Sequence, residues 1–303
     1  MKQLIITAVL ACAALLSGCE PPPPTAKGPE YDVKPSMAST DTVYRFAIHP
    51  LHNPQKLFAV YTPLMDYLNR RVPGVVFEVE ASNSYPHYET KLQAREPEFV
   101  LPNPYQTLKA LDWGYDVLAE AGNSNDFKGI FIARKDSKIT QPEDLQGKVI
   151  AYPAATALAA AMMPQQWLAA NGLPVMQAAK NEYVGSQESS ILNAYHKKSA
   201  VSATWPPPWR AFQQDHPKEA AALKVLWETP PLINNSVMVR NDIPKPLANQ
   251  VREVLHRMHE DPEGAAILYK MHTAAFYPAD NARYRATVGG FLTQFTQQVG
   301  PLP

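Results

Sequence analysis

The sequence predicts an α/β fold of two lobes, and three observations carry that expectation. Strand-like and helix-like hydrophobic periods alternate along the chain, which is the pattern of α/β architecture. The stretch from residue 43 to 303 is long for one core and suits two. A fresh strand–helix unit opens near Asp144-Leu145-Gln146-Gly147-Lys148, well inside that stretch. These divide the chain into a leader (1–19), a tether (20–42), a first lobe (43–134 with 234–303) and a second lobe (135–233).

The leader begins with Lys2 and an apolar run from Leu4 to Leu16, broken only by Thr7. A bilayer span needs about 20 apolar residues, so the run reads as an export signal. It ends Leu16-Ser17-Gly18-Cys19, which resembles a bacterial lipobox with Cys19 as the lipidated residue. Glu20 follows; without an Asp at that place the outer membrane stays open as the site of anchoring. Both cysteines, Cys12 and Cys19, lie in this leader, so the mature fold is expected to carry no disulfide and no thiolate metal site. The tether opens Glu20-Pro21-Pro22-Pro23-Pro24. Proline presets φ and removes a donor, so the segment reads as a semi-rigid spacer with roughly 70 Å of reach at ~3.1 Å per residue.

Tyr44 to Ile48 reads as the first strand, and Leu57 to Leu68 as an amphipathic helix that Pro63 should kink or restart. Val75 to Val79 is the next strand, Tyr85 to Arg95 the next helix, and Phe99 to Leu101 a third strand. Asn103-Pro104-Tyr105 then leads into a helix expected over Leu108 to Trp113. Tyr115 to Ala119 and Gly129 to Ala133 read as strands. In the second unit, Val149 to Tyr152 is a strand. The following helix, Ala157 to Ala170, should bend at Pro164 and stop at Asn171-Gly172. Ser189 to Lys198 is helical, Ala200 to Trp205 a strand, Pro208 to Gln214 a helix and Leu223 to Glu228 a strand. Ser236 to Val239 reads as a strand returning to the first lobe, followed by helices over Pro246–His259, Pro262–Met271 and Asn281–Gln298. No internal repeat is visible.

The order of these elements, with several local motifs, resembles the phosphonate-binding periplasmic protein family, which supplies solute to ABC transporters. Tyr61-Thr62-Pro63-Leu64 with Tyr67-Leu68 looks like the family's first helix, and Tyr85 stands where the family has a ligand-facing tyrosine. Asn103-Pro104-Tyr105 resembles its Gly-Pro-x-x-Tyr loop. Asp144-Leu145-x-Gly147-Lys148 resembles its "DLkGK" step, and Gly185-Ser186 and Asp261-Pro262-Glu263-Gly264 also match. The similarity runs from about Tyr44 to Phe295. It implies a type 2 periplasmic binding fold, two α/β lobes joined by two crossovers with ligand between them, closing by a hinge.

The sequence departs from that family at the oxyanion seat. A Ser-Thr-Ser-Gly-type run, which would offer hydroxyls at a helix N-terminus, is replaced by Ala154-Ala155-Thr156-Ala157. Gln187 stands where the family often has His, and the acidic residue expected in the next strand falls near Val201. Beyond it, Thr204-Trp205-Pro206-Pro207-Pro208-Trp209 places two indoles at the expected cleft mouth. Cleft and lobe core both stand open as readings for Trp205 and Trp209.

The expected ligand contacts are Tyr85, Asn103, Tyr105, Thr156, Gln187, Trp205 and Trp209. Because burying a dianion needs dense charge-assisted donors, the main reading is a neutral or amphipathic ligand. An alanine-rich seat also fits the sterol- and lipid-binding offshoot of this scaffold. The alternative is phosphate, phosphite or phosphonate for an ABC importer; a further one is a ligand sensor for a membrane receptor.

Other classes find little support. With 28 basic and 28 acidic residues there is no basic excess for nucleic acid. His49 with His52, and His256 with His259, are pairs without further ligands, so no metal is expected. No catalytic motif or cofactor fingerprint occurs, so the chain is expected not to be an enzyme and to need no cofactor. The expected partners are a small molecule, a permease or lipid exporter, and the membrane through the lipid. The chain is expected to act as a periplasmic monomer.

Overall fold

A computed structural model describes residues 42–303. The leader, Cys19 and the tether up to residue 41 lie outside the described residues. Among the described residues, eleven strands form two sheets. The first lobe holds β1 (Thr42–Ile48), β2 (Val75–Glu80), β3 (Phe99–Leu101), β4 (Tyr115–Ala121), β10 (Asn235–Arg240) and β11 (Phe276–Tyr277). Their order is β11-β4-β10-β3-β1-β2. The second holds β5 (Ile130–Arg134), β6 (Val149–Tyr152), β7 (Lys180–Tyr183), β8 (Val201–Thr204) and β9 (Leu223–Glu228), ordered β7-β6-β8-β5-β9. The chain is therefore the two-lobed α/β protein that the sequence predicts.

β2, β1 and β3 run parallel, as do β7, β6 and β8. Parallel pairing requires a helical crossover, which buries both faces of the sheet. Phe46, Ala47, Ile48, Phe99, Val100 and Leu101 are accordingly all buried. The crossovers of the first lobe are α1 (Pro54–Arg71) and α2 (Tyr85–Gln93); α3 (Pro104–Asp112) follows β3. The second lobe carries α4 (Met163–Ala170), α5 (Val175–Ala178), α6 (Gln187–Tyr195), α7 (Pro206–Asp215) and α8 (Pro217–Ala221). α9 (Lys245–Arg257), α10 (Pro262–Lys270) and α11 (Asn281–Gln298) complete the molecule. No helix among the described residues is long and apolar enough to cross a membrane.

Local chemistry explains most helix starts. Asn53, Ser84, Asn103, Ser186, Asp261 and Asp280 each cap a helix by accepting a backbone N–H. Neither Pro63 nor Pro164 interrupts its helix. α1 runs unbroken through Pro63, because Leu57, Tyr61, Leu64, Met65 and Leu68 are all buried by it; that burial outweighs the ~3 kcal/mol cost of an interior proline. The helix expected from Ala157 instead begins as a π-turn, Leu158–Met162, and becomes α-helical at Met163. Pro164 follows directly on that π-turn, inside a helical run that continues from Leu158 to Ala170 with its one N–H missing.

Candidate functional site

The seam between the lobes is built from helix starts. Tyr85 is the first residue of α2, and its hydroxyl accepts a bond from Gln187 Nε2 at 3.3 Å. Gln187 is the first residue of α6. Its Oε1 accepts from the Thr204 hydroxyl at 2.8 Å, at the end of β8 and just ahead of α7. A single chain of hydrogen bonds, Thr204 to Gln187 to Tyr85, thus joins three helix N-termini across the two lobes. All three residues are buried.

A second bridge lies at α3. The Asn103 side chain serves two purposes: its Oδ1 accepts from the Gln106 N–H at 3.1 Å as a cap, and its Nδ2 donates to the Thr156 carbonyl at 2.9 Å. Gln106 Oε1 returns a bond to the Asn103 N–H, closing a capping box. Asn103 is thereby rigid before it reaches the other lobe. Thr156 meets it through backbone rather than through its hydroxyl.

Burial keeps this region neutral. His49, at the end of β1, donates its Nδ1–H to the Leu101 carbonyl at 2.8 Å, and burial pulls its pKa down to about 4 against that bond. Its ring lies 6.3 Å from Tyr85 and 6.5 Å from Tyr88. Burial likewise pushes the Tyr85 hydroxyl up to about 12. The seam is also tight. The recess lined by His52, Lys56, Ser186, Gln187 and Asp215 has about 20 Å³ of free volume, as does the one lined by Tyr61, Trp205, Asn235 and His272. Lys56 and Asp215 form an ion pair across the mouth.

Of the remaining expected residues, Trp205 lines one of these recesses, while Tyr105 and Trp209 make their contacts away from them. Tyr105 gives its hydroxyl to the Pro303 carbonyl at 2.6 Å, and Lys109 Nζ sits 4.4 Å over its ring. Trp205 is buried against Phe127, with centroids 5.3 Å apart, and lines the recess it shares with Tyr61, Asn235 and His272. Trp209 stacks on Phe212, which stacks on His216, within the second lobe. Three residues escaped the sequence reading. Thr204 completes the Gln187 bridge. Ser82 Oγ and Asn235 Oδ1 are buried without a protein partner. The signal was present for Asn235, a polar pair with Asn234 placed directly before a strand, but nothing in the sequence marks which of two asparagines stays unpaired.

A family model described as an ABC transporter, phosphonate, periplasmic substrate-binding protein matches residues 46–284. The chain belongs to this phosphonate-binding family. The family role makes it a periplasmic substrate-binding component that serves a membrane ABC transporter with a small molecule.

Solved structures share the fold at low identity. A binding-protein component of an ABC phosphonate transporter from Pseudomonas aeruginosa is 17% identical, with 84% of this chain and 87% of that one covered and a TM-score of 0.76. PhnD1 from Prochlorococcus marinus, in complex with methylphosphonate, is 15% identical, covering 84% and 99%, with a TM-score of 0.75. A Xanthomonas citri protein bound to chloride ion is 19% identical, covering 84% and 98%, with a TM-score of 0.68. A search of curated proteins returned no match. Of the ligand readings, the phosphonate-binding family backs the oxyanion alternative and lends nothing to the sterol-like main reading.

Proposed function

We propose that this protein captures a phosphonate-class oxyanion in the seam between its lobes and delivers it to an ABC importer. The observation that carries this reading is the joining of three helix starts, α2, α6 and α7, by the Tyr85–Gln187–Thr204 chain. A helix N-terminus carries a partial positive charge, and α6 adds the N–H groups of its first turn, which favours an anion where neutral side chains alone would not; α7, opening with Pro206, Pro207 and Pro208, contributes its dipole without N–H donors. The start of α3 adds Asn103, and Asn235, which lines the neighbouring recess, adds a buried polar atom that lacks a protein partner. Such atoms cost free energy unless something bonds to them. Solved relatives that carry the name phosphonate support the same class.

In this reading the lipid on Cys19 and the proline-rich tether hold the receptor at the membrane, and a monomer does the capturing. Deletion of Cys19 lipidation should release the protein to the soluble periplasm.

Thermal shift and calorimetry with methylphosphonate, phosphite, phosphate and a sterol test the ligand class. Ligand at about 100 times its Kd should add about 2.7 kcal/mol of stability. Stabilisation by one or more oxyanions is expected. Stabilisation by the sterol alone would sink the proposal.

A further inference from the structure

The two crossovers between the lobes run side by side. The first covers residues 122–129 and the second 229–234. The Leu232 N–H donates to the Phe127 carbonyl at 2.9 Å, and the Thr229 N–H to the Gly129 carbonyl at 2.9 Å. The Gly129 N–H reaches back to the Thr229 hydroxyl at 2.9 Å. This ribbon continues directly into the β5–β9 pairing, where Ile130 faces Glu228, so it belongs mechanically to the second lobe.

Its other end is held by one side chain. Glu120 lies in β4, opposite Ser236 of β10 and Tyr277 of β11, and is only 2% exposed. Its Oε1 accepts from the Ser124 hydroxyl, on the first crossover. The same oxygen accepts from the Asn234 N–H at 2.9 Å, on the second. Its Oε2 faces Arg283 of α11 at 3.0 Å. The crossovers touch at this point as well. Asn234 Nδ2 donates to the Asn123 carbonyl at 2.9 Å, and a Cβ on Gly122 would lie 2.9 Å from that nitrogen. The Tyr284 hydroxyl donates to the Asn234 carbonyl at 2.7 Å from the other side.

A carboxylate taken out of water is costly unless it is paired and hydrogen-bonded. Its strand neighbours Ala119 and Ala121 are small and apolar, so the charge does nothing for the local core. What it does is tie one residue of each crossover to the first lobe. We propose that Glu120 is a positioning residue for ligand capture, the pivot about which the lobes rotate. This rests on the reading that ligand is taken by lobe closure. With the pivot intact, closure is one rotation that brings Gln187 back onto Tyr85. Without it, the ribbon has several ways to bend, and fewer of them rebuild the seam.

Hydrogen exchange on the full chain tests this, together with methylphosphonate titration. Glu120→Leu, which removes the oxygen that accepts from Ser124 and Asn234, should speed exchange about tenfold in residues 122–129 and 229–235 while leaving β1 to β3 unchanged. It should also weaken methylphosphonate binding about fivefold or more. Arg283→Met removes the same charge pair from the exposed side and should give a smaller shift of the same pattern, which covers the case in which the Glu120 variant folds poorly. A purely structural role would raise exchange evenly through β1, β3, β4 and β10 and leave the affinity of the folded fraction unchanged; that result, or unchanged exchange at the crossovers, overturns the pivot. If the unmodified chain does not bind methylphosphonate, the ligand reading fails and the exchange pattern still decides the pivot.

Discussion

At the scale of single residues, the seam is made of groups whose protonation and bonding are set by burial. His49 shows this most directly. Its pKa stands near 4 in the folded chain against about 6.5 for an unburied histidine. The unfolded chain therefore binds the extra proton over that window, and stability falls as pH drops from about 6.5 toward 4. The loss should be on the order of 1 kcal/mol per pH unit for this group, read as a falling Tm, and His49→Gln should reduce it while leaving the like contributions of His52, His256 and His272, whose pKa values burial also lowers. Gln187 makes a second test. Gln187→Ala leaves the buried hydroxyls of Tyr85 and Thr204 without their partner, at about 1–3 kcal/mol for such a loss. Methylphosphonate affinity should fall about tenfold or more by calorimetry, whereas Gln187→His, which keeps a ring N–H, should retain most of it. The sequence made Tyr85, Asn103 and Gln187 legible because each opens or caps a helix, and caps leave a local signature. It could not reveal that the Tyr105 hydroxyl is spent on Pro303, since no local pattern records a contact between residues so far apart.

At the scale of elements, most strands and helices were legible because hydrophobic period and capping agreed. The exceptions have physical causes. β7 alternates nothing, since Lys180, Glu182 and Tyr183 are exposed at a sheet edge, and β11 is only two residues long. α3 starts at Pro104 rather than Leu108, an extra turn made possible by the Asn103 cap and by a proline at the first helical position. Glycine distinguishes two helices that look alike in sequence. In α10, a Cβ on Gly264 would run into the Met258 carbonyl oxygen and lie 2.8 Å from Met258 Cγ. In α11, Gly289 and Gly290 have nothing within 4 Å of an added Cβ. Gly264→Ala should therefore cost about 1–3 kcal/mol through overpacking. Gly290→Ala should gain about 0.5–1 kcal/mol by helix propensity. Thermal melts should move in opposite directions, by roughly 2–4 °C per kcal/mol for a chain of this size.

At the scale of the whole molecule, the two-lobed architecture followed from alternation and length, and the family match covers most of the described chain. The proposed ligand class did not follow, because side-chain donors can be counted in a sequence and the placement of helix starts cannot. The mouth of the seam carries a further expectation. Lys56 and Asp215 are both partly exposed, and such pairs contribute about 0–1 kcal/mol. Lys56→Ala should thus leave the Tm nearly unchanged while altering how fast ligand leaves, a separation that stopped-flow dissociation would resolve. The position of β10 has another consequence. It lies between β4 and β3, so Met238 pairs with Val100 and Val237 with Ala119. A chain that emerges from a translocon with its amino end leading delivers this strand late, and until then the two halves of that sheet have no seam to close. The second lobe, whose strands all lie between β4 and β10, can fold while the first still waits. Folding is thereby ordered by topology: the first-lobe sheet closes only once β10 has been delivered, and long-range pairing of this kind is slow.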